Sequence, residues 1–495
     1  MNIRIAILFV PSVLGLLWQD EPEISIIWSL AGSLFVAAIA QNSWFKQSDE
    51  SLPITHRLLR PTFMYHFFFL GYHVLGGAVN ALELAGYTYW GRVAEPAKYE
   101  LSLNAMAQAL MLLGHASVTA GMKLAGLRYD PPRYIIAELP AYGLLVLSLV
   151  CLGVGTAVSF VPSLFNLSEK IFQIASTAVL VEIVFAAWRR NFNNTVVGLL
   201  LLFLNLLSQI LSGWKALVLW TMITLGALLY PLMPRRVLFG GFAFALFWAL
   251  YLHPFGLVLR PLIWYEGVDR NMAIAISMNE VMNMSLRERL DNTWKMMVGR
   301  ANDLYQFRKY LLYVPDAHPY YGLDLLKEAH LALMPRILWP EKPNLERVAM
   351  ERVYDAGIVS EQAVVSAKSN FYQDAYLSGG WAAVVPASLL LGYLSILISR
   401  TSERLFGGYQ IGTCLVFTSL FATTFNTAPN FLFLLGTVWT SLLVALAVFF
   451  AGRMTGWIVP ARAAIRGRAP RARLVKRPLA RFPLRYSPAK LPRLK

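Results

Sequence analysis

The segment LMPRILWPEKPN, residues 333–344, holds one arginine, one lysine and one glutamate among three prolines. Proline fixes the backbone dihedral angle φ and removes a hydrogen-bond donor, so this loop loses little conformational entropy when it orders. Arg336 and Lys342 can therefore be held at a fixed separation, where they suit a phosphate group through charge-assisted hydrogen bonds. Trp339 is typical of a membrane interface. A helix stop with interfacial anchors is the structural alternative.

Three further cations lie in or beside apolar segments. Lys215 follows a Ser-Gly pair at the start of an apolar run. Backbone N–H groups at a helix start also favour anions, and a snorkelling lysine is the alternative. Arg300 and Arg308 occur together in MVGRANDLYQFRKYL. Asp303 comes three residues after Arg300, so an i,i+3 ion pair competes with a functional role for that arginine.

A base for an acceptor hydroxyl would come from an acid or a histidine of the same region. The sequence offers Asp303, His318, Glu341 and Asp374 and does not choose among them. Glu182 lies within a long apolar run, which keeps a transporter open as an alternative. The sequence contains no Walker motif, no serine-hydrolase elbow and no metal-ligand spacing. We therefore predict neither a cofactor nor a metal.

These groups belong to a chain of 495 residues that is 57% hydrophobic and only 15% charged. A soluble protein of this length needs more charge at its surface, and apolar runs of about 18–25 residues are long enough to cross a bilayer. We predict an all-α polytopic membrane protein with about twelve transmembrane helices. The predicted spans are residues 4–18, 25–41, 62–85, 102–122, 138–160, 171–188, 194–212, 215–232, 236–258, 382–398, 409–425 and 431–452.

The orientation follows from the distribution of lysine and arginine in the short connections. Connections on one side carry basic residues, such as the arginine pairs at 189–190 and 235–236. Those on the other side read QDEPE at 19–23 and NTAPN at 426–430. We therefore predict that both termini are cytoplasmic. The insert at 259–381 is then periplasmic, and its 15 acids and 14 bases nearly cancel, as on an ordinary folded surface.

The chain is predicted to have four parts. Residues 453–495 form a tail with 13 lysines and arginines, no acid and six prolines, which cannot pack a core. Beside a span, such a tail favours contact with anionic lipid over nucleic acid. Helical patterns occur in the insert near 286–313, 322–334 and 344–356. The other parts are a bundle of about nine spans at 1–258, a periplasmic loop domain at 259–381 and three spans at 382–452.

Three segments carry a resemblance to a known family. LSGWKALVL resembles the SGSR-x-x-x-L segment that opens a span in many O-antigen polymerases, with Lys215 in place of arginine. MPRILWPEKP resembles the PR-x-LWP-x-KP stretch in the large periplasmic loop of Wzy-type oligosaccharide repeat-unit polymerases. SNFYQDAYLSGGW, at 369–381, resembles the NFG-x-x-G segment that leads from that loop into the next span. The similarity covers residues 195–400, approximately.

The resemblance implies a metal-independent membrane glycosyltransferase of the GT-C type in the bacterial inner membrane. Such enzymes join undecaprenyl-pyrophosphate-linked repeat units at the periplasmic face, and their arginines are thought to hold the pyrophosphate. Carried over to this sequence, that role points to Lys215 and Arg336, with Arg300 as a third. A lysine at position 215 lacks the bidentate geometry of arginine. A flippase and a chain-length regulator are candidate partners.

The resulting hypothesis is a polysaccharide polymerase that makes O-antigen or exopolysaccharide. An O-antigen ligase has the same architecture and remains an alternative. A polysaccharide or lipid-linked sugar transporter is another, although we find none of the internal repeats that transporters often show. A structural scaffold protein is the third alternative. The hypothesis assigns the pyrophosphate to Lys215, Arg300, Arg308, Arg336 and Lys342, and catalysis to Arg300, Asp303, Arg336 and Glu341.

Overall fold

The structure is a computed structural model that describes residues 3–42, 57–127, 129–137, 142–213, 215–300, 303–362 and 365–461, without the side chains of Lys215 and Arg300. Regular structure in these ranges is helical except for two small antiparallel sheets. The strands are β1 (Tyr87–Thr88), β2 (Gly91–Arg92), β3 (Tyr134–Ile136) and β4 (Ile458–Pro460). Sheet pairs are β1 with β2 and β3 with β4.

The helices are numbered in chain order, and three of those described contain a wider π-helical segment. These segments are Leu70–Val74 in α4, Trp248–Leu252 in α10 and Tyr409–Ala422 in α18. The helices are α1 (Ile3–Ala6), α2 (Val10–Leu17), α3 (Pro22–Gln41), α4 (Pro61–Leu84), α5 (Lys98–Ala125), α6 (Gly143–Ser159), α7 (Phe165–Arg189), α8 (Phe192–Leu211), α9 (Lys215–Leu229), α10 (Pro234–Trp264), α11 (Arg270–Asn283), α12 (Leu286–Arg300), α13 (Leu304–Tyr313), α14 (Asp324–Lys327), α15 (Ala329–Leu333), α16 (Leu345–Asp355), α17 (Phe371–Leu405), α18 (Tyr409–Ala422, continued by Thr423–Thr427) and α19 (Phe431–Met454).

Within the described ranges, eight helices are long and apolar enough to cross a membrane: α3, α4, α5, α7, α8, α10, α17 and α19. Two shorter apolar helices lie at Gly143–Ser159 and Ala216–Leu229. The chain is thus an all-α, multi-pass membrane protein, as the sequence predicts. The predicted span at 4–18 is divided between α1 and α2, and neither of these has the length of a span by itself.

Helix α5 is the centre of the bundle, since every residue from Ala107 to Lys123 is buried. Helix α17 runs beside it in the same direction, because Gly114 faces Tyr372 and Gly121 faces Leu389. A Cβ atom built on Gly121 would lie only 2.0 Å from the Leu389 carbonyl oxygen. Small residues at a helix crossing let two backbones approach closely within a membrane. This crossing fixes how α17 descends from the insert into the bundle.

Replacing Gly121 by alanine should destabilise the protein by about 3 kcal/mol or more, because the new methyl group meets backbone that cannot move aside. Gly153→Ala on α6 is the matched control, since a Cβ atom at Gly153 has no neighbour within 4 Å. The measurement is the fraction of detergent-solubilised protein that stays monodisperse after heating. Equal heat resistance of the two variants would contradict this account of the crossing.

One end of the bundle is closed by the pairing of β3 with β4, which places the start of the basic tail against the chain that follows α5. We call this the tail end. The buried Arg60 guanidinium there donates two 3.0 Å hydrogen bonds to the Glu403 carboxylate. The Thr413 hydroxyl donates a 2.6 Å hydrogen bond to the same carboxylate. Buried charges need such full pairing, and these contacts join the start of α4 to α17 and α18.

In its described residues, the insert between α10 and α17 contains the six helices α11 to α16. The three predicted helical patterns are confirmed: the first contains α12 and α13, the second α14 and α15, and the third α16. Helix α11 was not predicted. Its buried face consists of Ala273, Ser277 and Val281, and the alanine and serine carry little hydrophobic signal.

Candidate functional site

The segment SNFYQDAYLSGGW forms the start of α17. The Asn370 side chain accepts a 3.0 Å hydrogen bond from the Gln373 backbone N–H, and the Gln373 side chain accepts a 2.8 Å bond from the Asn370 N–H. This capping box fixes where the helix begins. The helix is then interrupted at Gly379 and Gly380. Gly380 has a φ of 64°, which glycine adopts without steric cost. A short buried helix therefore precedes the long apolar part of α17.

Asp303 lies between α12 and α13 and contacts this short helix. Its carboxylate accepts 3.1 Å hydrogen bonds from the Asn370 amide and from the Tyr72 hydroxyl. Its backbone carbonyl accepts a 2.8 Å bond from the Gln373 amide. Asp303 has a left-handed φ of 53°. Non-glycine residues in such conformations persist where the surroundings over-determine them, and they are frequent at functional sites.

The Asp303 carboxylate lies beside the middle of α4 rather than beyond the end of this helix. Tyr72 is near the centre of Pro61–Leu84, a helix long enough to cross a membrane. The π-helical segment Leu70–Val74 includes this tyrosine, and such bulges are frequent at functional sites. Asp303, the residue directly before α13, thus lies inside the bundle. Irregular backbone at membrane depth is tolerated only inside protein or along a water-filled cavity.

The half-buried position of Asp303 changes its acidity. Desolvation by the surrounding protein raises the pKa of its carboxyl group, and the hydrogen bonds from Asn370 and Tyr72 partly offset that rise. None of the described cations contributes to the shift. Such a carboxylate is a stronger proton acceptor than one in water. The ion pair with Arg300 considered from the sequence involves a side chain outside the described residues.

The proline-rich loop brings Arg336 and Lys342 together. Backbone N–H groups of Leu338 and Trp339 donate to the Pro335 carbonyl and close a tight turn. The Lys342 ammonium group donates a 2.9 Å hydrogen bond to the Met334 carbonyl. Partial burial, and then the charge of Arg336, lowers the pKa of Lys342. The Arg336 side chain is exposed, so this pair of cations is open to an anion.

Helix α15, which leads into this loop, packs against α19. Ala332 of α15 lies close to Gly436 of α19, where a Cβ atom would be 3.6 Å from the Ala332 carbonyl oxygen. Trp339 stacks with His330 at a ring-centroid distance of 6.1 Å. Glu341 is exposed. In the part of the chain that the structure describes, no hydrogen bond or ion pair joins this loop to Asp303.

A comparison with family models gives one match to this chain. The model of a domain of unknown function, DUF8712, matches residues 10–459. The chain belongs to the DUF8712 family. The match runs from α2 to β4, so the bundle and the insert are parts of a single family domain. Neither a curated protein nor a solved structure matches this DUF8712 chain.

Two other candidate groups of the DUF8712 protein have structural partners. Asp374 is buried and accepts hydrogen bonds from the Ser369 hydroxyl at 2.5 Å and from the Phe431 N–H at 2.7 Å. It therefore ties α17 to the start of α19. Arg308 is buried and donates a 3.3 Å hydrogen bond to the Asn80 side chain. Burial lowers the pKa of Arg308, and nearby Glu100 opposes that shift.

The surroundings of the remaining predicted residues differ. Lys215 begins α9 and Arg300 ends α12, and the side chains of both lie outside the described residues. His318 stacks on Tyr321 at 4.6 Å and has no contact with Asp303. Glu182 is buried and accepts a 3.0 Å hydrogen bond from Asn194. This contact gives the intramembrane carboxylate a polar partner at the junction of α7 and α8.

The sequence predicts polar core packing for the histidines at 66, 73 and 115 within spans, but not their grouping with tyrosines in one buried cluster below Asp303. The rings of His66 and His115 approach to 2.8 Å between Nδ1 and Nε2. The hydroxyls of Tyr65 and Tyr372 lie 2.5 Å apart. His66 and His73 recur at helical spacing on the face of α4 that meets α5, and this spacing was the available signal. We interpret the cluster as polar support for the start of α17.

Proposed function

We propose that this DUF8712 protein is a membrane glycosyltransferase that polymerises oligosaccharide repeat units carried on undecaprenyl pyrophosphate. The proposal includes twelve spans of the GT-C type in a bacterial inner membrane, with both termini cytoplasmic and the insert periplasmic. The observation that supports it most is Asp303, a half-buried carboxylate bonded to Asn370 of the polymerase-like segment at 369–381. Its product would be an O-antigen or an exopolysaccharide.

The proposed reaction is a displacement at the anomeric carbon of the lipid-linked chain. Asp303 takes the proton of the acceptor hydroxyl on the incoming unit. The hydroxyl oxygen forms the new glycosidic bond while the bond from the anomeric carbon to the diphosphate breaks. The lipid diphosphate leaves with the bonding electrons, and Arg336 and Lys342 stabilise its developing negative charge. Lys215 and Arg300 are assigned to the same anion by the resemblance, whereas Arg308 and Glu341 are left out.

The base and the cations have different neighbours. In a direct displacement, the nucleophile approaches the anomeric carbon from the side opposite to the leaving group. The carboxylate of Asp303 belongs to the bundle between α4 and α17. Arg336 and Lys342 belong to the loop beside α19. We assign the acceptor hydroxyl to the first place and the diphosphate to the second.

A deletion strain tests the reaction class. Loss of a polymerase should leave single repeat units attached to the final acceptor or to the lipid. Loss of an O-antigen ligase should instead leave long chains on the lipid carrier. Electrophoresis of the extracted lipopolysaccharide and mass spectrometry of the lipid-linked pool distinguish the two patterns. Long lipid-linked chains in the deletion strain would contradict the proposal.

The pH dependence of the reaction should respond to Tyr72. The change Tyr72→Phe removes a hydrogen bond that favours the ionised form of Asp303, so the pKa of this carboxyl group rises further. A base works only when it is deprotonated, and therefore the acid limb of the pH–rate profile should move to higher pH. Tyr99→Phe, at an exposed position on α5, is the control. An acid limb that stays in place in Tyr72→Phe would argue against Asp303 as the base.

A further inference from the structure

A cleft of ≈ 690 Å³ opens between α11 and α12 in the insert. The two helices diverge from the corner at Met284. Their facing sides contribute Asn279, Asn283 and Asn292 as amides and Glu280, Glu288 and Asp291 as carboxylates, with Lys295 as a single cation. Amide and carboxylate oxygens accept hydrogen bonds, and amide nitrogens donate them. The cleft thus offers many convergent polar groups in one place.

An aromatic ridge borders this cleft. The turn between β1 and β2 presents Tyr89 and Trp90, whose rings are 4.6 Å apart. The Tyr89 hydroxyl donates a 2.6 Å hydrogen bond to Asp291, which also lines the cleft. Trp294 of α12 lies 5.8 Å from the Tyr89 ring. Trp90 is 59% exposed beside the polar cleft, and the Arg287 guanidinium lies 5.9 Å from the centre of its ring.

An exposed indole beside amides and carboxylates has the chemistry that recognises a sugar. The C–H face of a pyranose ring packs on an aromatic face, while its hydroxyl groups need acceptors and donors at the ring edge. The cleft lining has three carboxylates against Lys295, and Arg287 lies outside the lining beside Trp90, so the net charge of these groups is negative and disfavours anions. Backbone and side-chain hydrogen bonds from Ser285 lower the pKa of Glu288 and keep this charge in place. A neutral sugar or an amino sugar is therefore favoured over a diphosphate or a uronic acid.

From these observations we infer that the α11–α12 cleft binds uncharged or amino-sugar residues of a glycan chain. The inference rests on the proposed function, in which this chain is the polymer under extension. Asp291 precedes Arg300 on α12 by nine residues, or about 14 Å at 1.5 Å rise per residue. The same helix ends at Arg300, three positions before Asp303 in the sequence, so the cleft and the proposed base are joined through one helix.

The test uses the full-length protein in nanodiscs with three soluble probes: a neutral hexasaccharide, an amino-sugar hexasaccharide and a hexuronate. Calorimetry should show binding of the neutral or the amino-sugar probe and none of the hexuronate. Trp90→Ala should weaken that binding about tenfold or more, as loss of an aromatic anchor does. Trp457→Ala is the matched control, because this tryptophan is 46% exposed near the tail end.

Three results would overturn the proposal that the α11–α12 cleft binds a glycan. These are preferential binding of the hexuronate, binding of calcium ions without any binding of the neutral or amino-sugar probes, and equal binding by the Trp90→Ala and Trp457→Ala proteins. In cells, Trp90→Ala should give shorter polymer, while the first linkage still forms. If the probes bind as expected but the wild-type protein extends no lipid-linked oligosaccharide, glycan binding by the cleft is supported and the polymerase proposal is wrong. If polymer forms but Trp90→Ala matches the wild type in probe binding and in polymer length, only the proposal for the cleft is wrong.

Discussion

Replacing Asp303 by asparagine is expected to abolish long-chain polymer. The rate should fall about 10²–10⁴-fold, which is the usual contribution of a positioned general base. An asparagine keeps an oxygen that can accept from Tyr72 or Asn370, so one of these two contacts should remain. The readout is the length distribution of polymer in a deletion strain complemented with each variant, with membrane levels measured by immunoblot.

Asp316→Asn is the matched control for this change, because Asp316 is an exposed aspartate of the same insert. It should support polymer of normal length. Full-length polymer from Asp303→Asn at normal membrane levels would remove Asp303 from the mechanism. Loss of the protein from the membrane would instead reveal a structural role, and the pH profile of Tyr72→Phe then decides whether Asp303 also acts as a base.

Replacing Arg336 by alanine is expected to have the second-largest effect. Removal of one group that stabilises a developing anion typically costs about 10²–10³-fold in rate. The exposed Arg336 side chain supports no described packing contact, so stability should be unchanged. Arg336→Lys should recover part of the activity, since the charge is retained but the bidentate contact with a phosphate is lost.

The control for the arginine is Arg347→Ala on α16, another exposed arginine of the insert. Lipid-linked repeat units should accumulate with Arg336→Ala and not with Arg347→Ala. If the two variants make the same amount of polymer, the loop at 333–344 does not bind the leaving diphosphate. In that case the anion would have to be held by other cations, such as Lys215 or Arg300.

The sequence predicts the class of fold and the local helices. It does not predict that Asp303 of the insert contacts the middle of α4. Apolar runs identify spans because each must cover the hydrocarbon core. The position of Asp303 carries no such signal, since Arg300 and Asn302 interrupt the apolar residues before it. Its place is decided by the hydrogen bond to Tyr72, which joins residues 231 positions apart. Contacts of this kind depend on tertiary packing and leave no local pattern.

The candidate site shows the same division between local and long-range information. The grouping of Arg336 with Lys342 is local, because both belong to one proline-rich loop. The choice among acids is not. Asp374 is buried and accepts bonds from Ser369 and Phe431, and Glu341 is exposed. Asp303 alone of these three is half-buried and bonded to α4. This difference arises from neighbours that are distant in the sequence.

The most direct test of the central claim uses purified protein in proteoliposomes supplied with undecaprenyl-pyrophosphate-linked oligosaccharide and no nucleotide. The wild-type protein is predicted to convert single units into longer lipid-linked chains and to release undecaprenyl pyrophosphate in equal number to the new linkages. Asp303→Asn is predicted to leave the single units unchanged. Unchanged substrate with the wild-type protein, or equal extension by Asp303→Asn, would contradict the account.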